Sequence, residues 1–110
     1  MKAKRVAVRQ AAARDIDAAV GHYLQEGGAA LATRFVAELE EVYRHIHRFP
    51  ATGALRYAAE LGITGLRFWP LNNFPYLVFY VEREDQVDVL KVLHAQRDIP
   101  AWLTDGPTDR

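Results

Sequence analysis

The sequence has no cysteine, so disulfides are excluded and nothing in it requires an oxidising compartment. No apolar run approaches the ~18 residues a membrane span needs. The opening MKAKRVAVRQ is basic but lacks the apolar centre of a secretory signal. The expected location is therefore the cytoplasm, with no membrane partner. Neither sign of charge is in excess: 14 basic and 14 acidic residues give a formal net charge of zero. Affinity built on phosphate neutralisation usually rests on a basic surplus, so the balance weighs against a nucleic-acid enzyme. A Gly-rich phosphate loop, internal repeats and low-complexity segments are also missing. The four histidines make no metal set. His45 and His47 are two apart on a helical pattern and point to different sides, while His22 with Glu26 supplies only two ligands. No metal or cofactor is expected.

What is present reads as one α+β domain over residues 1–110, with a tail at residues 104–110. Arg5–Val8 alternates enough for a short first strand, and four basic residues within the first nine suit a solvated sheet edge. Ala11–Glu26 predicts a helix with Ile16, Ala19, Val20, Tyr23 and Leu24 on one stripe. Gly27-Gly28 ends it. Ala29–Phe49 predicts a second helix, seamed by Leu31, Phe35, Leu39, Val42, Ile46 and Phe49, and Pro50 stops it. Two amphipathic helices joined by so short a link imply a hairpin packed on one face of a sheet. Ala51–Gly65 reads as a loop with a helical turn at Ala58–Leu61.

The chain is organised around Leu66 to Leu103. Leu66–Trp69 is a strand, Leu71–Pro75 a turn, Tyr76–Val81 a strand and Glu82–Gln86 a charged turn. Val87–His94 closes the sheet, and Asp98 with Pro100 predicts the N-cap and first turn of a short terminal helix. Simple alternation puts Leu77, Phe79 and Val81 on one face and Tyr76, Val78 and Tyr80 on the other. In the last strand it puts Val87, Val89 and Leu93 on one face and Leu90 and Val92 on the other. The order is β-α-α-β-β-β with a short terminal helix: a helix hairpin on a mainly antiparallel sheet. A sheet apolar on both faces, with helices for only one, leaves apolar surface for a partner unless Ala51–Gly65 and Trp102-Leu103 cover it.

Leu66-Arg67, the Tyr76-Leu77-Val78-Phe79-Tyr80 strand and Val92-Leu93-His94-Ala95-Gln96-Arg97-Asp98 occur in an order that resembles the ParE branch of the RelE/ParE toxin superfamily. The resemblance spans nearly the whole chain and implies a toxin of a type II toxin–antitoxin system. It implies a non-enzymatic protein that binds DNA gyrase, stalls it on cleaved DNA and blocks replication, so serving plasmid or chromosome maintenance. A ParD-like antitoxin would neutralise it in a hetero-oligomer, and DNA would be met only through antitoxin or gyrase. The surfaces expected to meet the antitoxin are the hairpin and exposed sheet, with Tyr23, Ala32, Val36, Tyr43 and Trp69. Arg97, Trp102 and Leu103 are expected to meet the target.

The alternative is a ribosome-dependent mRNA endonuclease of the RelE type. Cleavage by the 2′-hydroxyl needs an acid, a base and cations for the developing charge. Arg67, His94 and Arg97 would carry it, with His94 moving the proton. The structural reading of the same residues has His94 hydrogen-bonded to a carbonyl and Arg97 paired with Asp98. Arg67, starting a strand among apolar neighbours, would need a carboxylate such as Glu38, Glu41 or Glu60.

Overall fold

The computed structural model describes residues 3–99. Strand β1 (Arg5–Val8) leads into α1 (Gln10–Arg48), a 3-10 turn at Pro50–Thr52 and a one-turn helix α2 (Ala58–Leu61). Three strands follow: β2 (Leu66–Pro70), β3 (Tyr76–Glu82) and β4 (Gln86–His94). The terminal helix expected after Asp98, Trp102-Leu103 and the tail at 104–110 lie outside the described residues.

Helix α1 is interrupted at Gly28, whose φ of 74° and ψ of −166° are open only to glycine. The chain turns back there. Tyr23 and Phe35 have ring centroids 5.2 Å apart, whereas twelve residues of straight helix would part them by ~18 Å. The two arms form the expected hairpin. Ala19 on the first arm and Phe35, Leu39, Val42 and Ile46 on the second are buried against the sheet. Two residues leave their expected stripes: Leu24 is 48% exposed near the hairpin tip, and Phe49 is 51% exposed. Phe49 precedes Pro50 and has left helical geometry (φ −132°, ψ 61°), so its side chain no longer follows the seam. The end of α1 is tied to β1: the Lys4 N–H donates to the His47 carbonyl at 3.1 Å, and His47 Nδ1 donates to the Lys4 carbonyl at 2.5 Å.

The sheet order is β1-β4-β3-β2, with β1 parallel to β4 and the other pairs antiparallel. On β3, Tyr76, Val78 and Tyr80 face the hairpin and Phe79 and Val81 face the opposite side, as alternation requires. On β4 alternation fails. Phe79 pairs with Lys91 and Tyr80 with Val89, so Leu90 is an extra residue, a β-bulge. Past the bulge the faces exchange. Val87, Val89 and Val92 pack towards the hairpin, while Leu90 and Leu93 pack on the other side. The outer edge of β2 is closed, since Phe68 and Ala54 exchange both backbone hydrogen bonds (3.0 and 3.1 Å) and Pro70 has no donor.

The second face of the sheet is not open. Leu61, Leu66, Phe79, Val81, Leu93 and Ile99 form a second core, joined by Tyr57, Ile63 and Phe68. The segment between α1 and β2 supplies much of this cover, so the exposed sheet expected as a partner surface is largely filled from within the chain.

Candidate functional site

Of the residues that would have to act together in RNA cleavage, Arg67 is held apart from His94 and Arg97. Arg67 pairs with Tyr80 across β2 and β3, and His94 pairs with Tyr76 across β3 and β4. Tyr76 and Tyr80 are four residues apart on one strand, ~13 Å, and Arg67 and His94 lie on opposite sides of that strand. Each is also engaged locally. Arg67 Nη1 donates to the Gly53 carbonyl at 2.7 Å. That carbonyl replaces the expected carboxylate: among the described residues, neither Glu38, Glu41 nor Glu60 forms an ion pair with Arg67. The loop that delivers Gly53 is long-range in sequence, and spacing gave no sign of it.

His94 also differs from expectation. Its Nδ1 accepts the backbone N–H groups of Gln96 (3.2 Å) and Arg97 (3.1 Å) instead of donating to a carbonyl. Asp98 turns back to accept the His94 N–H at 2.9 Å and takes the Arg97 Nε–H at 3.0 Å. Burial alone would raise the Asp98 carboxyl, but the bonds from Arg97 and His94 outweigh it and hold the group below its ordinary range. Arg97 also donates to the Tyr76 hydroxyl at 3.1 Å, and these two bonds make its proton harder still to remove. His94, Arg97 and Asp98 thus form a closed knot at the end of β4.

The residues expected to meet an antitoxin divide. Val36 is exposed, at 36%. Ala32 is buried, at 6%, because it stands three residues before Phe35 and seven before Leu39 and so shares their stripe. Tyr23 is half-buried among Phe35, Phe74 and Tyr76, with ring centroids 4.9–6.1 Å away, and burial raises its phenol pKa. Tyr43 is half-buried, and its hydroxyl meets no partner among the described residues. Burial, with the charge of Glu40 adding, raises its pKa to about 12.

Trp69 stands at a cleft of about 150 Å³. Glu38, Glu41, Val42 and His45, spaced three and four apart on the second arm of α1, form one wall. Trp69, Pro70 and Asn72 form the other. The His45 ring stacks on Trp69 at 4.0 Å and 27°. Glu38 clamps the turn after β2 to the helix: its two oxygens accept the Asn73 N–H at 2.9 Å and the Asn73 side-chain amide at 2.6 Å. Burial alone would raise its carboxyl, but the bonds from Asn73, with Asn72 and the charge of Arg34 adding, outweigh it and hold the group below its ordinary range. Sequence reading missed this cleft, because helix spacing shows that Glu38, Glu41 and His45 share a face but not that Trp69 comes to meet them. Among the described residues no three His, Cys, Asp or Glu side chains gather to hold a metal, and no helix is long and apolar enough to cross a membrane.

Residues 6–99 match the family model for the ParE toxin of the type II toxin–antitoxin system parDE. A search of curated proteins finds no match. Among solved structures, the chromosomal ParDE toxin–antitoxin system from P. aeruginosa contains a chain of the same fold. The TM-score is 0.71 at 20% identity, over 84% of this chain and 97% of that one. The matched residues run from β1 through the hairpin and sheet to the knot at Asp98, and by that match the chain belongs to the ParE family, toxins of type II toxin–antitoxin systems.

Proposed function

We propose that this toxin acts in the cytoplasm by binding, not by breaking bonds: it holds DNA gyrase on cleaved DNA and so blocks replication. The observation that carries the reading is the separation of Arg67 from His94 and Arg97, together with the internal engagement of all three. A cleavage site needs its acid, base and cation around one phosphate. Here one arginine is bound to a loop carbonyl, the other to a carboxylate, and the imidazole Nδ1 to backbone N–H groups. The neutral net charge supports the same reading. Arg97 and the chain that follows it, including Trp102 and Leu103, form the target surface.

A ParD-like antitoxin neutralises the toxin in a hetero-oligomer, meeting the hairpin around Val36, Tyr43 and Trp69. Support comes from family membership and from the solved neighbour, which belongs to a ParDE system. The test is a supercoiling assay with purified gyrase and antitoxin-free protein. Loss of supercoiling together with linear cleaved DNA is expected. Full gyrase activity alongside cleaved messenger RNA in arrested cells would move the function to ribosome-dependent RNA cleavage.

A further inference from the structure

We infer that the cleft between the second arm of α1 and the end of β2 receives an arginine side chain of the antitoxin. This rests on the proposed neutralisation by an antitoxin and names the contact that carries it. The cleft is concave, and its lining holds two carboxylates and no lysine or arginine, with the Asn72 amide and the Trp69 indole N–H as donors beside them. Glu38 and Glu41 bring two carboxylates. Glu38 gives both oxygens to Asn73, while Glu41 makes no ion pair among the described residues.

The tautomer of neutral His45 follows from its neighbour. The Thr52 hydroxyl donates to the Phe49 carbonyl at 2.7 Å, so at 2.8 Å from His45 it must accept. The proton therefore sits on Nε2, and Nδ1 remains an acceptor. Val42, Pro70 and the indole of Trp69 supply apolar surface for a side-chain stem. A flat cation with several N–H groups fits this set better than a point-like ammonium, because a guanidinium donates in fixed directions and stacks on aromatic rings.

The experiment measures affinity of the full-length chain for the antitoxin encoded beside it, by titration calorimetry at low and moderate salt. Glu41 forms no ion pair among the described residues, so Glu41→Gln leaves the melting temperature unchanged and weakens binding by at least about tenfold. Glu41→Arg weakens it further, and an Arg→Glu change in the antitoxin segment that crosses the cleft restores it. Glu84→Gln, in the turn between β3 and β4, changes nothing. Wild-type affinity in both Glu41 variants would overturn the arginine contact while leaving the antitoxin reading intact. No binding by the unaltered chain would overturn both.

Discussion

The hydroxyl of Tyr80 and the peptide of Gly53 are fitted to each other. The Gly53 N–H donates to that hydroxyl at 3.0 Å, and the hydroxyl donates to the Pro50 carbonyl at 2.9 Å. One buried phenol thereby satisfies two peptide groups of the loop after α1. Tyr80→Phe leaves both unpaired and should cost about 1–3 kcal/mol, read as a lower urea midpoint. A side chain at Gly53 would overlap the same hydroxyl and come within 2.9 Å of the Phe68 carbonyl. Gly53→Ala should therefore lose at least as much, although its backbone conformation (φ −69°) suits any residue. A full-strength midpoint in either variant would show that the loop can move away at no cost.

Gly28 and Gly21 lie on the same hairpin and should respond with opposite signs. Gly28 has a backbone that only glycine adopts freely, so Gly28→Ala should cost about 1–3 kcal/mol. Gly21 is exposed inside the first arm, with open space where a Cβ would go. Gly21→Ala should gain about 0.5–1 kcal/mol. Thermal melts of the two single variants decide it. Equal shifts would mean that the chain reversal is not set at Gly28.

Acid stability should divide among four carboxylates. Glu38, Asp88 and Asp98 all sit below their ordinary range, each because hydrogen bonds outweigh the opposing effect of burial. For Asp88 the bonds come from Gln86 and Arg83. Such groups stabilise the fold above about pH 4, their ordinary value, and the contribution disappears as pH falls through their lowered values. Asp15 has the opposite sign. Burial raises its pKa despite bonds from the Val92 N–H and Lys91, so ionising it costs stability as pH rises above about 4. Asp15→Asn keeps an acceptor for Val92 and removes that cost. Its stability should rise more steeply with pH than that of the parent between about pH 4 and 6. Superimposable chemical-denaturation profiles of the two proteins would refute this.

Deleting residues 101–110 should abolish growth arrest while moving the melting temperature little. Among the described residues, the second core runs as far as Ile99. Retained toxicity in the truncated chain would place the target surface elsewhere.

Much of this fold was legible in the sequence, because its signals are local. The expected strand Tyr76–Val81 reads true on both faces and runs one residue further, to Glu82, and Gly27-Gly28 marks the hairpin turn to within a residue. Contacts that join distant segments were not legible. Nothing near Arg67 points to the Gly53 carbonyl, and nothing near Glu38 points to Asn73, 35 residues away. Leu24 and Phe49 misled because each continues a stripe in sequence just where the arm is ending. The target residues beyond Asp98 gain no structural account, whereas Ala32 was assigned to a partner although it belongs to the core stripe.

The extra residue at Leu90 makes β4 a strand with two reading frames. Odd positions before it and even positions after it answer to the helices. A one-residue deletion at Leu90 would put both halves in one frame, with Val92 still towards the helices and Leu93 still on the other side, because Lys91, Val92 and Leu93 keep their partners on β3. The half beside β1 meets a parallel neighbour, while the half ending in His94 carries the core on in the second frame and closes in the knot with Arg97 and Asp98.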